Sequence, residues 1–143
     1  LAVVLGHEIA HAVANHAGER ISQSMLLQMG GVALAAVVGS QTSISPRAVL
    51  DLYGLGANVG VMLPYSRMQE LEADKLGLIF MAMAGYDPRK ALDFWQRMDV
   101  AAKKAGRPPE FLSTHPSSVT RMQKIKEFIP EAMRYYHPQN SRW

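Results

Sequence analysis

Cysteine does not occur once among the 143 residues of this chain. That absence excludes disulfides, thiolate metal sites and cysteine nucleophiles together, and it fits the cytoplasm and the periplasm equally well. Strand-like alternation of useful length is also missing, as is any internal repeat, so the chain reads as essentially all helix. Basic residues are scattered rather than gathered into a patch interleaved with aromatics. With a net charge of only +3, nucleic acid is excluded as an expected partner. No signal peptide is visible, and the first residue is Leu1 rather than methionine. The expectation is a fragment or processed form whose upstream part is not in view.

What is present reads as globular. Hydrophobic residues make up 48% and charged residues 19% of the chain, enough for one domain with a real core. A first helix is expected from Ala2 to about Gln23. The stretch from Met25 to Gly39, MLLQMGGVALAAVVG, is apolar all round but shorter than the ~20 residues that cross a bilayer. It reads either as a buried helix or hairpin arm, or as a membrane-touching element. Ser45 and Pro46 suit the cap and first position of a helix reaching about Met62. Pro64 opens another that Gly85 stops, and Asp87 and Pro88 open one ending near Gly106. GRPPEFLSTHP reads as a loop, and SSVTRMQKIKEF as a short amphipathic helix ending before Pro130. Residues 131–143 add a turn or two and then fray.

The chemistry begins at GHEIAH. Positions i and i+4 share a helix face, so the His7 and His11 imidazoles can converge on one zinc ion, with Glu8 one step round as a general base. A catalytic zinc site needs a third protein ligand. His16 is a poor one, because it lies ~140° round the helix from His11 at 3.6 residues per turn; it reads as a polar contact at the helix surface. QELEADKLG offers a better one. Glu70 and Asp74 share a face, so Glu70 can close a His-His-Glu set while Asp74 accepts a hydrogen bond from the far nitrogen of a ligand imidazole. Glu72, ~200° away from Glu70, should face elsewhere. Phe94, Trp95 and Met98 read as packing, and LGLIFMAMAG as burial of the second ligand helix.

HEIAH, then SRMQELEADKLG, then LSTHPSSVTR together resemble the gluzincin metallopeptidases that include HtpX, BepA and the CAAX prenyl endopeptidases. PYSRMQELEADKLG, FWQRM and EFLSTHPSSVTR are most similar to the branch of bacterial periplasmic members and the mitochondrial Oma-type stress protease. The resemblance implies a zincin-like catalytic core over residues 1–143, all-α as it stands, that lacks the family's upstream helices and substrate-holding edge strand. Residues 25–63 would then be an apolar insert between the two metal-binding helices. It implies one zinc ion on His7, His11 and Glu70, a base at Glu8, support from Asp74, and a pair, His115 and Arg121, facing the reacting carbonyl. It further implies a zinc endopeptidase acting on protein or peptide substrates in quality control, associated with a membrane or membrane proteins and placed in the bacterial cell envelope.

Alternatives stay open at this stage. His115 reads as an oxyanion donor, as a fourth zinc ligand or as a loop cap, and Arg121 as a donor or a surface ion pair. The whole chain has a second reading as a chaperone-like or membrane-binding module with a structural zinc, and a third as a membrane protein without metal. Glu8 argues against the second, since a purely structural site has no use for a base.

Overall fold

Proline and glycine mark several of the helix ends. In the computed structural model, which describes residues 1–106, 110–116 and 118–138, seven α-helices occur among those residues and no strand. They are α1 (Ala2–Val13), α2 (His16–Gln41), α3 (Pro46–Ala57), α4 (Leu63–Met83), α5 (Lys90–Ala105), α6 (Glu110–Thr114) and α7 (Val119–Met133). A π-helical segment, Asn58–Met62, joins α3 to α4. Ser45 caps α3, its hydroxyl accepting from the Ala48 N–H at 3.2 Å, with Pro46 in the first turn. Gly85 and Gly106 take positive φ beyond α4 and α5, the conformation that glycine adopts without steric penalty.

Four expectations need correction. The first helix does not run on to Gln23: Asn15 turns left-handed at φ 56°, which asparagine tolerates better than most residues, and α2 starts afresh at His16. His16 is not at the surface but 2% exposed, with its carbonyl accepting from Gln69 Nε2 at 3.2 Å. The loop before His115 contains the short helix α6, although residues 107–109 lie outside the described set. Helix α7 carries through Pro130 to Met133. Proline there forgoes one backbone hydrogen bond, yet Ile125 and Ala132, on either side, are both buried to 1% exposure. Residues 139–143 of the expected tail also lie outside the described residues.

The chain divides into two compact units. Residues 1–14 and 70–143 form the first. Its core gathers Leu78, Ala91, Trp95, Leu112, Ile125 and Ala132, with Val3, Phe94, Met98 and Phe111 packed around them. Within this unit α1 crosses α4 at backbone contact: a Cβ on Gly6 would meet the Gly77 carbonyl oxygen at 2.6 Å, and one on Gly77 would meet the His7 nitrogen at 2.9 Å. Only glycine at both positions permits that approach. It brings the His7–His11 face of one helix against the Glu70–Asp74 face of the other.

Residues 15–69 form the second unit, in which α2 and α3 pair as an antiparallel hairpin. Gly39 lies against Pro46 at the turn, and Gly30 and Gly31 lie against the Tyr53 ring. Of the readings left open for Met25–Gly39, the hairpin arm is the one that occurs, and the segment is not a buried helix. Met25, Leu26, Met29, Val32 and Val37 are all exposed, and α2, His16–Gln41, begins well before Met25 and ends just past Gly39.

Candidate metal centre

Helix spacing places the first two groups. His7 and His11 lie one turn apart on α1, and their Nε2 atoms stand 3.1 Å from each other. Glu70 comes from α4, with Oε2 3.4 Å from His7 Nε2 and Oε1 3.2 Å from His11 Nε2. His115 follows α6, its N–H bonded to the Phe111 carbonyl at 2.9 Å. Its Nδ1 lies 2.9 Å from Glu70 Oε1 and 3.2 Å from His7 Nε2. One donor atom from each of these four residues falls within 4.8 Å of every other.

A tetrahedral zinc ion with bonds of ~2.0–2.1 Å has ligand-to-ligand edges of ~3.3–3.4 Å. The separations given above sit at or inside those edges, so the four residues fit such an ion. The tautomers favour the same conclusion. His7 Nδ1 is 3.0 Å from Asp74 Oδ1, so its proton belongs there and Nε2 presents a lone pair to the cluster. Three imidazoles and a carboxylate that point lone pairs at one another repel unless a proton or a cation lies among them.

Arg121 holds the carboxylates from behind. It is 4% exposed. Its Nη2 donates to Asp74 Oδ1 at 2.8 Å, its Nε donates to Asp74 Oδ2, and its Nη1 lies 2.9 Å from Glu70 Oε2. The Pro116 carbonyl accepts from Nη1 at 3.1 Å, and the guanidinium carbon stands 4.4 Å over the Trp95 ring. The donors expected to face a reacting carbonyl are thus engaged by Asp74, Glu70 and Pro116. Ser118 caps α7 by accepting from the Arg121 N–H at 3.1 Å, fixing where that side chain begins.

Electrostatics follow the contacts. Burial opposes ionisation of Glu70, but hydrogen bonds from His11, His115 and His7, with the Arg121 charge, outweigh it and hold the carboxyl far below the usual carboxylate range. Burial likewise opposes a charged His7, and hydrogen bonds to Asp74 and Glu70 outweigh it, raising that imidazole. Glu8 stands beside the cluster and is half-exposed. Its side chain is 49% exposed and Oε1 lies 3.3 Å from His115 Nε2.

The structure therefore brings together all seven residues singled out from the sequence. Reading the sequence missed Gly6 and Gly77, which allow the helices to cross, and Phe111, whose ring lies 4.9 Å from His115 and 5.8 Å from His7. A glycine directly before HExxH, with another three residues after Asp74, was a readable signal for the crossing. Phe111 had none.

Known proteins agree with this chemistry. The family described as Peptidase family M48 matches residues 1–129. The chain is 43% identical over 136 residues to the mitochondrial metalloendopeptidase OMA1 of Schizosaccharomyces pombe, covering 92% of this chain and 37% of that protein. It is 38% identical over 141 residues to the mitochondrial metalloendopeptidase OMA1 of Homo sapiens, covering 94% and 26%. Against the beta-barrel assembly-enhancing protease of Yersinia pestis it is 31% identical over 131 residues, covering 88% and 26%. The chain thus spans between about a quarter and two fifths of the length of these relatives. No solved structure matches it. The expected bacterial-envelope location is overturned, because relatives from fungi, animals and a plant are named as mitochondrial proteins. The motifs behind that expectation build a metal site, and a metal site carries no cellular address. By the match over residues 1–129 and the metalloendopeptidases it resembles, this chain belongs to peptidase family M48.

Proposed function

We propose that the protein is a zinc endopeptidase that hydrolyses internal peptide bonds of protein substrates, in quality control at a membrane. The observation that carries the reading is the convergence of His7, His11, Glu70 and His115 on one point, with a half-exposed carboxylate, Glu8, beside it. His7, His11 and Glu70 would hold the zinc, and residues 25–63 form an insert between the two helices that supply them. Zinc in this set supplies an electrophile, acidifying water toward a pKa of ~7 and polarising a carbonyl.

The chain's own groups do the rest. Glu8 takes the proton of the attacking water and delivers it to the leaving amine, a role worth roughly 10²–10⁴ in rate. Asp74 accepts from His7 Nδ1 and so keeps the opposite nitrogen free of a proton. Arg121 is a positioning residue, holding Asp74 and Glu70 in register rather than donating to substrate. His115 sits in the fourth place of the donor set, in contact with Glu8 on its other nitrogen. With Nδ1 turned to that set, the N–H of the ring is on Nε2, beside Glu8, and that is the donor His115 would offer an oxyanion.

A Glu8→Gln substitution tests the reading. It should leave bound zinc unchanged by metal analysis and lower cleavage of an unfolded protein by the full-length form roughly 10²-fold or more. Unchanged cleavage would refute the mechanism and favour a structural zinc.

A further inference from the structure

None of the seven site residues lies between positions 15 and 69, and the surface of the hairpin formed there is unusual for a protein in water. Helix α2, His16–Gln41, is long and apolar enough to cross a membrane by length and composition, and only 11% of its most apolar 18-residue stretch is buried. At 1.5 Å per residue, the part beyond Arg20 is ~31 Å long, close to the ~30 Å of bilayer hydrocarbon. Charges keep to the two ends of the hairpin. None lies between Arg20 and Arg47, and none between Asp51 and Arg67. Arg47 and Asp51 sit just past the turn, while Arg20 and Arg67 sit at the opposite end.

Apolar and polar groups are distributed inside out. The fully buried residues of this unit are His16, Gly31, Ala35 and Gln69, none of them a large aliphatic. On α2 the exposed Met25, Leu26, Met29, Val32, Leu34 and Val37 sweep through ~200° of the helix circumference at 100° per residue. The side turned to α3 holds instead Gly31 and Ala35, with Ser24 and Gln28 close to the same line. Each serine hydroxyl on α2 bonds back to its own helix: Ser22 to the Gly18 carbonyl, Ser24 to that of Ile21 and Ser40 to that of Val37, at 2.8–3.0 Å. In water, large side chains are driven into the seam between helices. Where the surroundings are themselves hydrocarbon that drive vanishes, and small residues at the seam let the backbones approach.

We propose that residues 21–63 form a helical hairpin that inserts into the acyl-chain region of a lipid bilayer, with Arg20 and Arg67 at one headgroup layer and Arg47 and Asp51 toward the other. A protein groove or a second copy of the chain covers one stripe of a helix; hydrocarbon alone covers most of its circumference. The segment itself goes beyond the peptidase reading and stands whether or not that reading does.

The native chain has no cysteine, so each introduced one is a unique labelling site. Leu26→Cys, Val37→Cys and Leu55→Cys on the hairpin, and Val100→Cys on α5, are labelled in the full chain with an environment-sensitive fluorophore and mixed with phosphatidylcholine vesicles. The three hairpin labels should shift to the blue, be quenched by nitroxides on the acyl chains and lose access to aqueous iodide, while the label at position 100 changes in none of these. Hairpin labels that stay open to iodide with vesicles present overturn the proposal. So does equal protection without lipid, which would mean a second copy covers the hairpin. As a check without labels, Leu26→Glu combined with Val37→Glu should lower vesicle co-flotation at least about tenfold with helix content retained; undiminished flotation overturns the proposal.

Discussion

Two small-residue seams occur in this chain, and what surrounds each differs. In the unit of residues 1–14 and 70–143, Gly6 meets Gly77, and Ala10 and Ala73 are fully buried. Around that seam the large side chains Trp95, Ile125 and Leu78 turn inward. In the hairpin, Gly30 and Gly31 meet Tyr53, and most of the large aliphatic side chains of α2 turn outward. A close helix crossing is the same geometric device in both places. In the first it brings two histidines and a carboxylate within reach of one ion. In the second it joins two apolar rods. The medium outside each unit decides which way the large residues face, so the direction of burial identifies the solvent for which each was built.

The contrast can be tested from its strongest point. Arg121 neutralises two carboxylates, Asp74, which is buried, and Glu70, which is partly buried. Arg121→Met keeps much of the volume and leaves those charges without their cation, which typically costs about 3–5 kcal/mol. Denaturant melts should show that loss, and Arg121→Lys should restore only part of it, because an ammonium cannot reproduce the two-pronged contact with Asp74. An unchanged midpoint would mean the pairs are ornamental. A smaller effect is expected at the seam. Gly77→Ala puts a methyl 2.9 Å from the His7 nitrogen and 3.0 Å from the Gly6 carbonyl carbon. Overpacking of this kind costs about 1–3 kcal/mol, and it should weaken zinc binding in a chelator competition by separating α1 from α4. Gly54→Ala, on the hairpin with no atom within 4 Å of the new methyl, should instead gain a few tenths of a kcal/mol, up to about 1.

The sequence displayed the site more fully than the fold around it. His7, Glu8, His11, Glu70 and Asp74 were legible because helix periodicity converts spacing into shared direction, and two such pairs suffice to define a face on each helix. His115 and Arg121 came from resemblance, and the sequence left their tasks open, His115 between donor, fourth ligand and loop cap, Arg121 between donor and ion pair. That Arg121 spends its donors on carboxylates depends on which helix brings it near Asp74, a long-range fact without a local pattern. The break at Asn15 escaped notice because one residue in a left-handed conformation leaves no periodic trace. The hairpin was half legible. Its apolarity was plain, but apolarity alone does not say whether a helix faces a core or a membrane, and reading Met25–Gly39 as a short segment hid the length that makes the second answer physical.

The smallest expected effect separates the two units most cleanly. Leu34 and Leu78 are the same residue type on helices of similar length. Leu78 is 4% exposed within a cluster containing Trp95 and Ile125, whereas Leu34 is 43% exposed on the outer face of α2. Truncating a leucine in a packed core typically costs about 2–5 kcal/mol, and Leu78→Ala should fall in that range. Leu34→Ser, measured by urea unfolding of the full chain in lipid-free solution, should lie within about 0.5 kcal/mol of the parent, since no cavity opens and the new hydroxyl reaches water. With vesicles present the same substitution should weaken binding, because hydrocarbon then surrounds the hydroxyl. If Leu34→Ser proves as costly in solution as Leu78→Ala, that leucine is covered by protein, and the outward orientation on which the hairpin argument rests is wrong.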